Sequence, residues 1–362
     1  MRIAIDATAA CTPRPTGIGR YTAQLARALD DIGSKISLGT RCSHLHRHRH
    51  RLSIPTVNRF WIQEPWWPPL RRPDVVHVTD SRVPRWNSPR VATIHDVVHL
   101  LPEDRMSRQI STREFRDKKI ASYRAIAADC QRIIAVSETT RRDFLGGVEC
   151  DPEKVVVVHH GVDPVFQPIE QSKAAEVLAV RGIPTEAIIY VGDLSHRKNI
   201  PGIVRGFLAA ELGDVPLVIA GEASFGGPGL QDLIESEGCG RVRLVGWLGD
   251  DVLPSLYSSA KALLYCTHYE GFGLPVLESM ACGTPVVVSS CGAAPEIGGD
   301  LAESCDPDDP ASIAAALHRA LGHDRTHRDR ARNHALAFDW KSCARQTVEV
   351  YRQAIELADG TH

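Results

Sequence analysis

The stretch from Ala262 to Gly283 constrains the fold more than any other part of this 362-residue chain. Ala262–Cys266 is a short apolar run bounded by turn residues, the signature of a buried strand. Glu270-Gly271-Phe272-Gly273 follows as a glycine-flanked turn, and Pro275 falls where a first helical position belongs. Helical composition continues through Ala281, with Cys282-Gly283 as the stop. One strand, one turn and one helix N-terminus therefore carry two carboxylates. Glu270 is expected at the strand's carboxyl end and Glu278 in the first helical turns, both facing a crevice beyond a sheet. Gly271 and Gly273 let backbone N–H groups approach a ligand, and the helix dipole favours an anion there. Two carboxylates beside an anion site suit a phosphorylated sugar, because carboxylates accept from hydroxyls while amides hold phosphate. As two isolated glutamates, an acidic loop and a helix cap are the simpler account.

The second half repeats this strand–turn–helix grammar. Ile188–Val191 reads as a strand, followed by Gly192-Asp193-Leu194-Ser195-His196-Arg197-Lys198-Asn199 and a helix from about Pro201. Arg197 and Lys198 at a helix N-terminus after a glycine turn make an anion-binding arrangement, or an exposed basic turn. Strands are expected at 217–220, 242–245 and 285–290, and helices over 250–259 and 325–357. Trp247, after the second of these strands, flanks a base or packs in a core. Glu296 lies in a turn near the same crevice. Asp306-Pro307-Asp308 imitates a metal-binding pair but sits in a helix lead-in, where capping is the better account.

In the first half, residues 2–6 form a strand, and a Thr-, Pro- and Gly-rich loop leads to Thr16-Gly17-Ile18-Gly19-Arg20-Tyr21 and a helix. The third glycine of a dinucleotide fingerprint is missing, so a flexible loop whose amides reach a distal phosphate or an acceptor is expected. Val91–Ile94 is a buried strand with His95-Asp96 at its carboxyl end, where open α/β sheets place their chemistry. A hydrogen-bonded turn histidine is the alternative, and His99 and Glu103 are lesser candidates. Residues 111–128 read as an amphipathic helix, 132–136 and 155–158 as strands, and Ser137 as a helix cap. Gly161–Pro168 reads as an interdomain linker. His44, His46, His48 and His50 alternate along the chain, but Arg41, Arg47, Arg49 and Arg51 among them repel a dication, so a solvated basic loop is expected. Trp61, Trp66 and Trp67, among Pro65, Pro68 and Pro69, form a packing segment or an acceptor contact.

Glu270 to Glu278, around Gly-Phe-Gly-Leu-Pro, resembles the signature of the retaining family-4 glycosyltransferases. Arg197-Lys198-Asn199 and Gly17-Ile18-Gly19-Arg20 resemble further parts of it, so the likeness covers nearly the whole chain. It implies an α/β chain in the GT-B fold, two Rossmann-like domains facing across a cleft. Residues 1–165 would bind the acceptor and 166–340 a nucleotide-sugar donor, with a last helix over 341–357 packing back on the first domain. The resemblance implies that His95 and Glu270 act at the reacting sugar. Arg197, Lys198, Gly271, Phe272, Gly273, Gly17 and Gly19 would surround the diphosphate. Glu278, Trp247 and Leu274 would meet the ribose and base, and Asp96, Arg20 and Tyr21 the acceptor side. Many members carry Arg directly after the first glycine of the cation loop; this chain has Asp193 there. Bacterial mannosyltransferase-type relatives are the nearest likeness, which implies GDP-mannose, with UDP-glucose and UDP-N-acetylglucosamine open. No metal or other cofactor is expected.

Composition limits the alternatives. Hydrophobic content of 43% and charged content of 24% are those of a globular chain. No apolar run approaches the roughly 18 residues that span a bilayer. Ten cysteines without a C-x-x-C pair are expected as reduced thiols in a cytoplasm. The net charge of −2 conceals 26 Lys and Arg against 18 Asp and Glu through Asp163, and 16 against 26 after it. That asymmetry is an ordinary arginine-rich surface, or a first half that meets an anionic acceptor or the inner membrane face. No basic-aromatic module for nucleic acid stands out. Two rival functions remain at this level: a sugar-nucleotide epimerase of similar fold, which needs no acceptor, and a non-catalytic nucleotide- or lipid-binding protein, which turns nothing over.

Overall fold

The computed structural model describes residues 1–41, 60–63, 72–80, 83, 88–101, 111–222, 236 and 240–360. The His44–His50 segment, Trp66, Trp67 and Glu103 lie outside these residues. The chain divides into two compact units, Met1–Leu101 with Arg113–Gly161 and Phe338–His362, and a second that includes Val162–Ala337.

The first unit is built on a seven-stranded parallel sheet. Its strands are β1 (Arg2–Asp6), β2 (Lys35–Arg41), β3 (Phe60–Gln63), β4 (Val75–Val78), β5 (Arg90–Ile94), β6 (Arg132–Ala135) and β7 (Val155–Val157). Their spatial order is β3-β2-β1-β4-β5-β6-β7. The strands read as near-continuous apolar runs because helices cover the sheet; β4 is buried at all four positions. Helices α1 (Gly17–Asp31), α2 (Arg113–Asp129) and α3 (Glu138–Gly147) connect them. Ser137 caps α3 by accepting from the Thr140 N–H.

The second unit carries a six-stranded parallel sheet. Its strands are β8 (Ile188–Val191), β9 (Leu217–Ala220), β10 (Val242–Gly246), β11 (Ala262–Tyr265), β12 (Val286–Ser289) and β13 (Glu303–Cys305). The order is β10-β9-β8-β11-β12-β13. Helices α4 (Gln171–Ala179), α5 (Ile200–Ala209), α6 (Leu253–Ser259), α7 (Leu274–Ala281), α8 (Ala294–Gly298), α9 (Pro310–Leu321) and α10 (Arg325–Leu336) belong to the same unit. Strand order reverses between β8 and β11. Loops leaving those two strands diverge, which opens a crevice at their carboxyl ends.

The helical tail read over 325–357 is two helices, the second beginning one residue before the last helix expected over 341–357. Asp339 interrupts the tail by accepting from the Lys341 and Ser342 N–H groups, which starts α11 (Trp340–Asp359). This last helix belongs to the first unit and packs Ala344, Tyr351 and Ala354 into its core beside α1.

Candidate functional site

In the second unit, the loops after β8 and β11 place four charged side chains together. Gly192 ends β8 with a φ of 154°, and a Cβ there would stand 2.7 Å from the Tyr190 hydroxyl. Asp193 then turns the chain by accepting from the Ser195 N–H, and a single 3-10 turn, His196–Lys198, presents the cations. Asn199 adopts a left-handed φ of 54°, caps α5 through Gly202 N–H, and donates to the Cys266 and Pro307 carbonyls. One side chain thus pins the cation loop to the ends of β11 and β13.

Glu270, at the end of the β11 loop, accepts from Lys198 Nζ and, at 2.8 Å, from the Tyr265 hydroxyl. Arg197 reaches the same oxygen at 3.3 Å and the Asp193 carboxylate at 3.4 Å; Lys198 stands 3.9 Å from Asp193. Lys198 is only 4% exposed and lies over the Tyr265 ring. Burial pushes the Glu270 carboxyl upward, but Lys198 and Arg197 outweigh it and hold the group below its ordinary range. Burial likewise raises Asp193, and Lys198 with Arg197 and the Ser195 hydrogen bonds bring it down to about 2. Both carboxylates are therefore ionised at neutral pH. The cations expected to hold phosphate pair with these carboxylates.

Gly273 has a φ of 108° and opens α7, with Pro275 in its first turn. Phe272 is buried, Leu274 is half-buried, and Glu278 is 4% exposed and accepts from the Tyr257 hydroxyl at 2.8 Å. Gly292, with a φ of 72°, sits against the Glu270 backbone, whose carbonyl accepts from Ala293 N–H. Trp247 is 42% exposed and lines a groove of about 690 Å³ with Arg181, Ile183, Arg243 and Leu244. None of the ion-cluster residues lines that groove. Glu296 lies in the first turn of α8. Asp306 accepts from Asp308 N–H and the following Asp309 caps α9, so this acidic run serves the turn and the helix start. Among the described residues, no group of three or more His, Cys, Asp or Glu is arranged to hold a metal ion.

The first unit places His95 just beyond β5. Its Nε2–H donates to the Thr79 carbonyl at 3.1 Å, which leaves the lone pair on Nδ1. Burial lowers its pKa to about 4, so the ring is neutral. The Tyr21 ring meets it edge-on at 4.7 Å, and His160 lies 5.6 Å away. Behind these rings runs a buried chain of hydrogen bonds. The Tyr21 hydroxyl bonds Thr93, Thr93 bonds His77, and His77 bonds the Tyr351 hydroxyl of α11.

Two expectations for this unit are corrected. Gly17, Gly19, Arg20 and Tyr21 do not form a flexible loop; they are the first residues of α1. Gly19 is needed for close packing, because a Cβ would stand 2.5 Å from the Ala9 carbonyl oxygen. Tyr21 is 1% exposed and supports His95 from within the core, so it presents no surface to an acceptor. Asp96 is half-buried, and its carbonyl accepts from the Tyr123 hydroxyl. His99 packs against Phe115.

Sequence reasoning missed Tyr265 and Asp193 as members of the ion cluster. Tyr265's signal is a hydroxyl-bearing residue at the last position of an apolar strand. Asp193's is an anion four residues before the Arg197 cation.

Two parallel doubly wound sheets, with charged side chains collected where strand order reverses, give this chain the GT-B fold. Solved structures of the same fold include a sucrose-phosphate synthase from Thermosynechococcus elongatus, 20% identical over 98% of each chain with a TM-score of 0.74. Another is HepE of Anabaena in complex with UDP and glucose, 18% identical over 96% of this chain and 98% of that chain, with a TM-score of 0.73.

The family follows from sequence. A model described as Glycosyl transferases group 1 matches residues 181–337, and one described as Glycosyltransferase Family 4 matches residues 15–166. The chain is 30% identical to the MMP alpha-(1->4)-mannosyltransferase of Mycolicibacterium hassiacum, over 78% of this chain and 71% of that protein. It is 30% identical to O-antigen chain mannosyltransferase B of Escherichia coli over 61% of this chain, a match that spans 60% of that relative's length. The protein belongs to the group 1, family 4 glycosyltransferases. Among the described residues, no helix is long and apolar enough to cross a membrane.

Proposed function

We propose that the protein transfers a hexose, with retention of anomeric configuration and without a metal, from a nucleoside-diphosphate sugar to an acceptor hydroxyl. The donor is read as GDP-mannose, in line with the mannosyltransferase names of its relatives. A UDP-sugar is the alternative donor, supported by the UDP and glucose bound to HepE. The acceptor is a glycan, a lipid-linked sugar or a small metabolite, met by the first unit, whose basic balance suits an anionic carrier or membrane face.

The observation that carries this reading is the buried cluster of Lys198, Arg197 and Glu270 at the strand reversal of the second sheet. Breaking the anomeric bond leaves negative charge on the diphosphate and positive character on the sugar ring. Lys198, Arg197 and the amides of Gly271 and Gly273 would face the first charge, each well-placed group contributing about 3 kcal/mol. Glu270, released from Lys198 by the arriving phosphates, would accept from sugar hydroxyls and support the ring cation. Glu278 would hold the ribose hydroxyls, with Leu274 and Trp247 toward the base. From the first unit, His95 is assigned to the reacting sugar, its neutral ring offering an acceptor at Nδ1.

Thermal-shift screening against GDP-mannose, UDP-glucose and UDP-N-acetylglucosamine tests the donor, because a ligand that binds only the folded state raises Tm. Transfer from the stabilising donor must then disappear in His95→Ala. An isomerised donor formed without acceptor would favour an epimerase, and no turnover at all a binding protein.

A further inference from the structure

The cluster holds one carboxylate that the proposed chemistry does not use. Glu270 has sugar hydroxyls to receive once it leaves Lys198. Asp193 has no such task, yet its carboxylate lies 3.4 Å from Arg197 and 3.9 Å from Lys198, and 41% of its side chain is exposed. A phosphate approaching those cations meets this fixed negative charge. With Asp193 present, the two cations and two carboxylates cancel; without it, the same cluster carries a net positive charge.

We propose that Asp193 is a built-in competitor of the ligand phosphates, an affinity-determining residue that weakens diphosphate binding and re-covers the cations when the nucleotide product leaves. The inference rests on the reading of Lys198 and Arg197 as diphosphate ligands. Its geometry favours a charge role over a purely structural one. The turn needs only an acceptor for Ser195 N–H, and the Tyr190 hydroxyl donates to the Asp193 backbone carbonyl, which no substitution removes. Asp193→Asn keeps a side-chain acceptor and deletes the charge. Removing a half-exposed like charge about 4 Å from the bound anion's partners is worth about fivefold in affinity.

The test titrates wild type, Asp193→Asn and Lys198→Ala with pyrophosphate, GDP and UDP, at low and at high salt. Pyrophosphate carries the paired phosphates without a base, so its response is independent of donor identity. The inference expects Asp193→Asn to bind about fivefold tighter at low salt, with the gap narrowing as salt rises, while Lys198→Ala binds more weakly. If Lys198→Ala weakens binding but Asp193→Asn is unchanged or weaker, the competitor role is overturned and the diphosphate assignment stands. A gain in Asp193→Asn that ignores salt would mark a rearranged loop and also overturn it. If Lys198→Ala binds as wild type does, or wild type binds none of the three, the diphosphate assignment itself fails.

Discussion

Mild acid should loosen the first unit before it affects the charged cluster of the second. His77 is fully buried on β4, and His160 is 4% exposed. Burial, with His95 nearby, lowers His77 to about 3 and His160 well below the ordinary value. An unfolded histidine titrates near pH 6.5. Below that value the unfolded chain binds protons that the folded unit refuses. The stability these groups contribute is complete above about pH 6.5 and is lost as pH falls toward their folded values. His95, lowered by burial to about 4, behaves the same way, so at pH 5.5 each of the three groups has lost about 1.4 kcal/mol and together they cost about 4 kcal/mol relative to pH 7.5. Asp193, at about 2 in the folded protein, enters only below the ordinary carboxylate range, so pH 5.5 isolates the histidines. Hydrogen exchange of the β4 and β5 amides, corrected for the intrinsic rate at each pH, reads this loss in the first unit alone. His77→Gln should shrink the loss by about a third. Protection at pH 5.5 equal to that at pH 7.5, or a His77→Gln protein with the full pH dependence, would refute the reasoning.

Three further outcomes follow from the second unit. Glu278→Ala should weaken donor binding about tenfold or more, whereas Glu270→Ala should chiefly lower kcat; equal binding defects in both would dissolve the division of roles. Gly292→Ala forces a Cβ within 2.9 Å of Glu270 N at a φ of 72°, and should lower both Tm and kcat, with a cost of about 1–3 kcal/mol. Transfer measured after exhaustive chelation, with and without added magnesium or manganese, should be unchanged; a restored dependence on either ion would contradict the metal-free reading.

Strands β1 and β5 to β12 were legible because a parallel strand covered on both faces is a short apolar run, and 188–191 and 217–220 were read to the residue; β2, with Lys35, Ser37, Gly39 and Arg41 among its residues, and the short β3 and β13 carry no such run and were not read. Glu270–Glu278 was legible as a strand, turn and helix for the same reason. What the sequence hid is long-range. The pairing of Lys198 with Glu270 joins residues 72 apart, and no local pattern announces it. Tyr21 follows a Gly-x-Gly string that reads as a loop, yet its environment is set by His95, His160 and Trp340 from distant elements. The break in the tail was present in the text as Phe338-Asp339-Trp340, an aspartate before a helical run.

The central claim is that the second unit receives paired phosphates at the cations Glu270 now covers. A crystal structure with a bound nucleoside-diphosphate sugar tests it most directly. The account predicts phosphate oxygens within hydrogen-bonding distance, about 3 Å, of Lys198 Nζ and the Gly271 amide, with Glu270 turned to the sugar hydroxyls. Phosphates bound elsewhere, with the Lys198–Glu270 pair still closed, would contradict it.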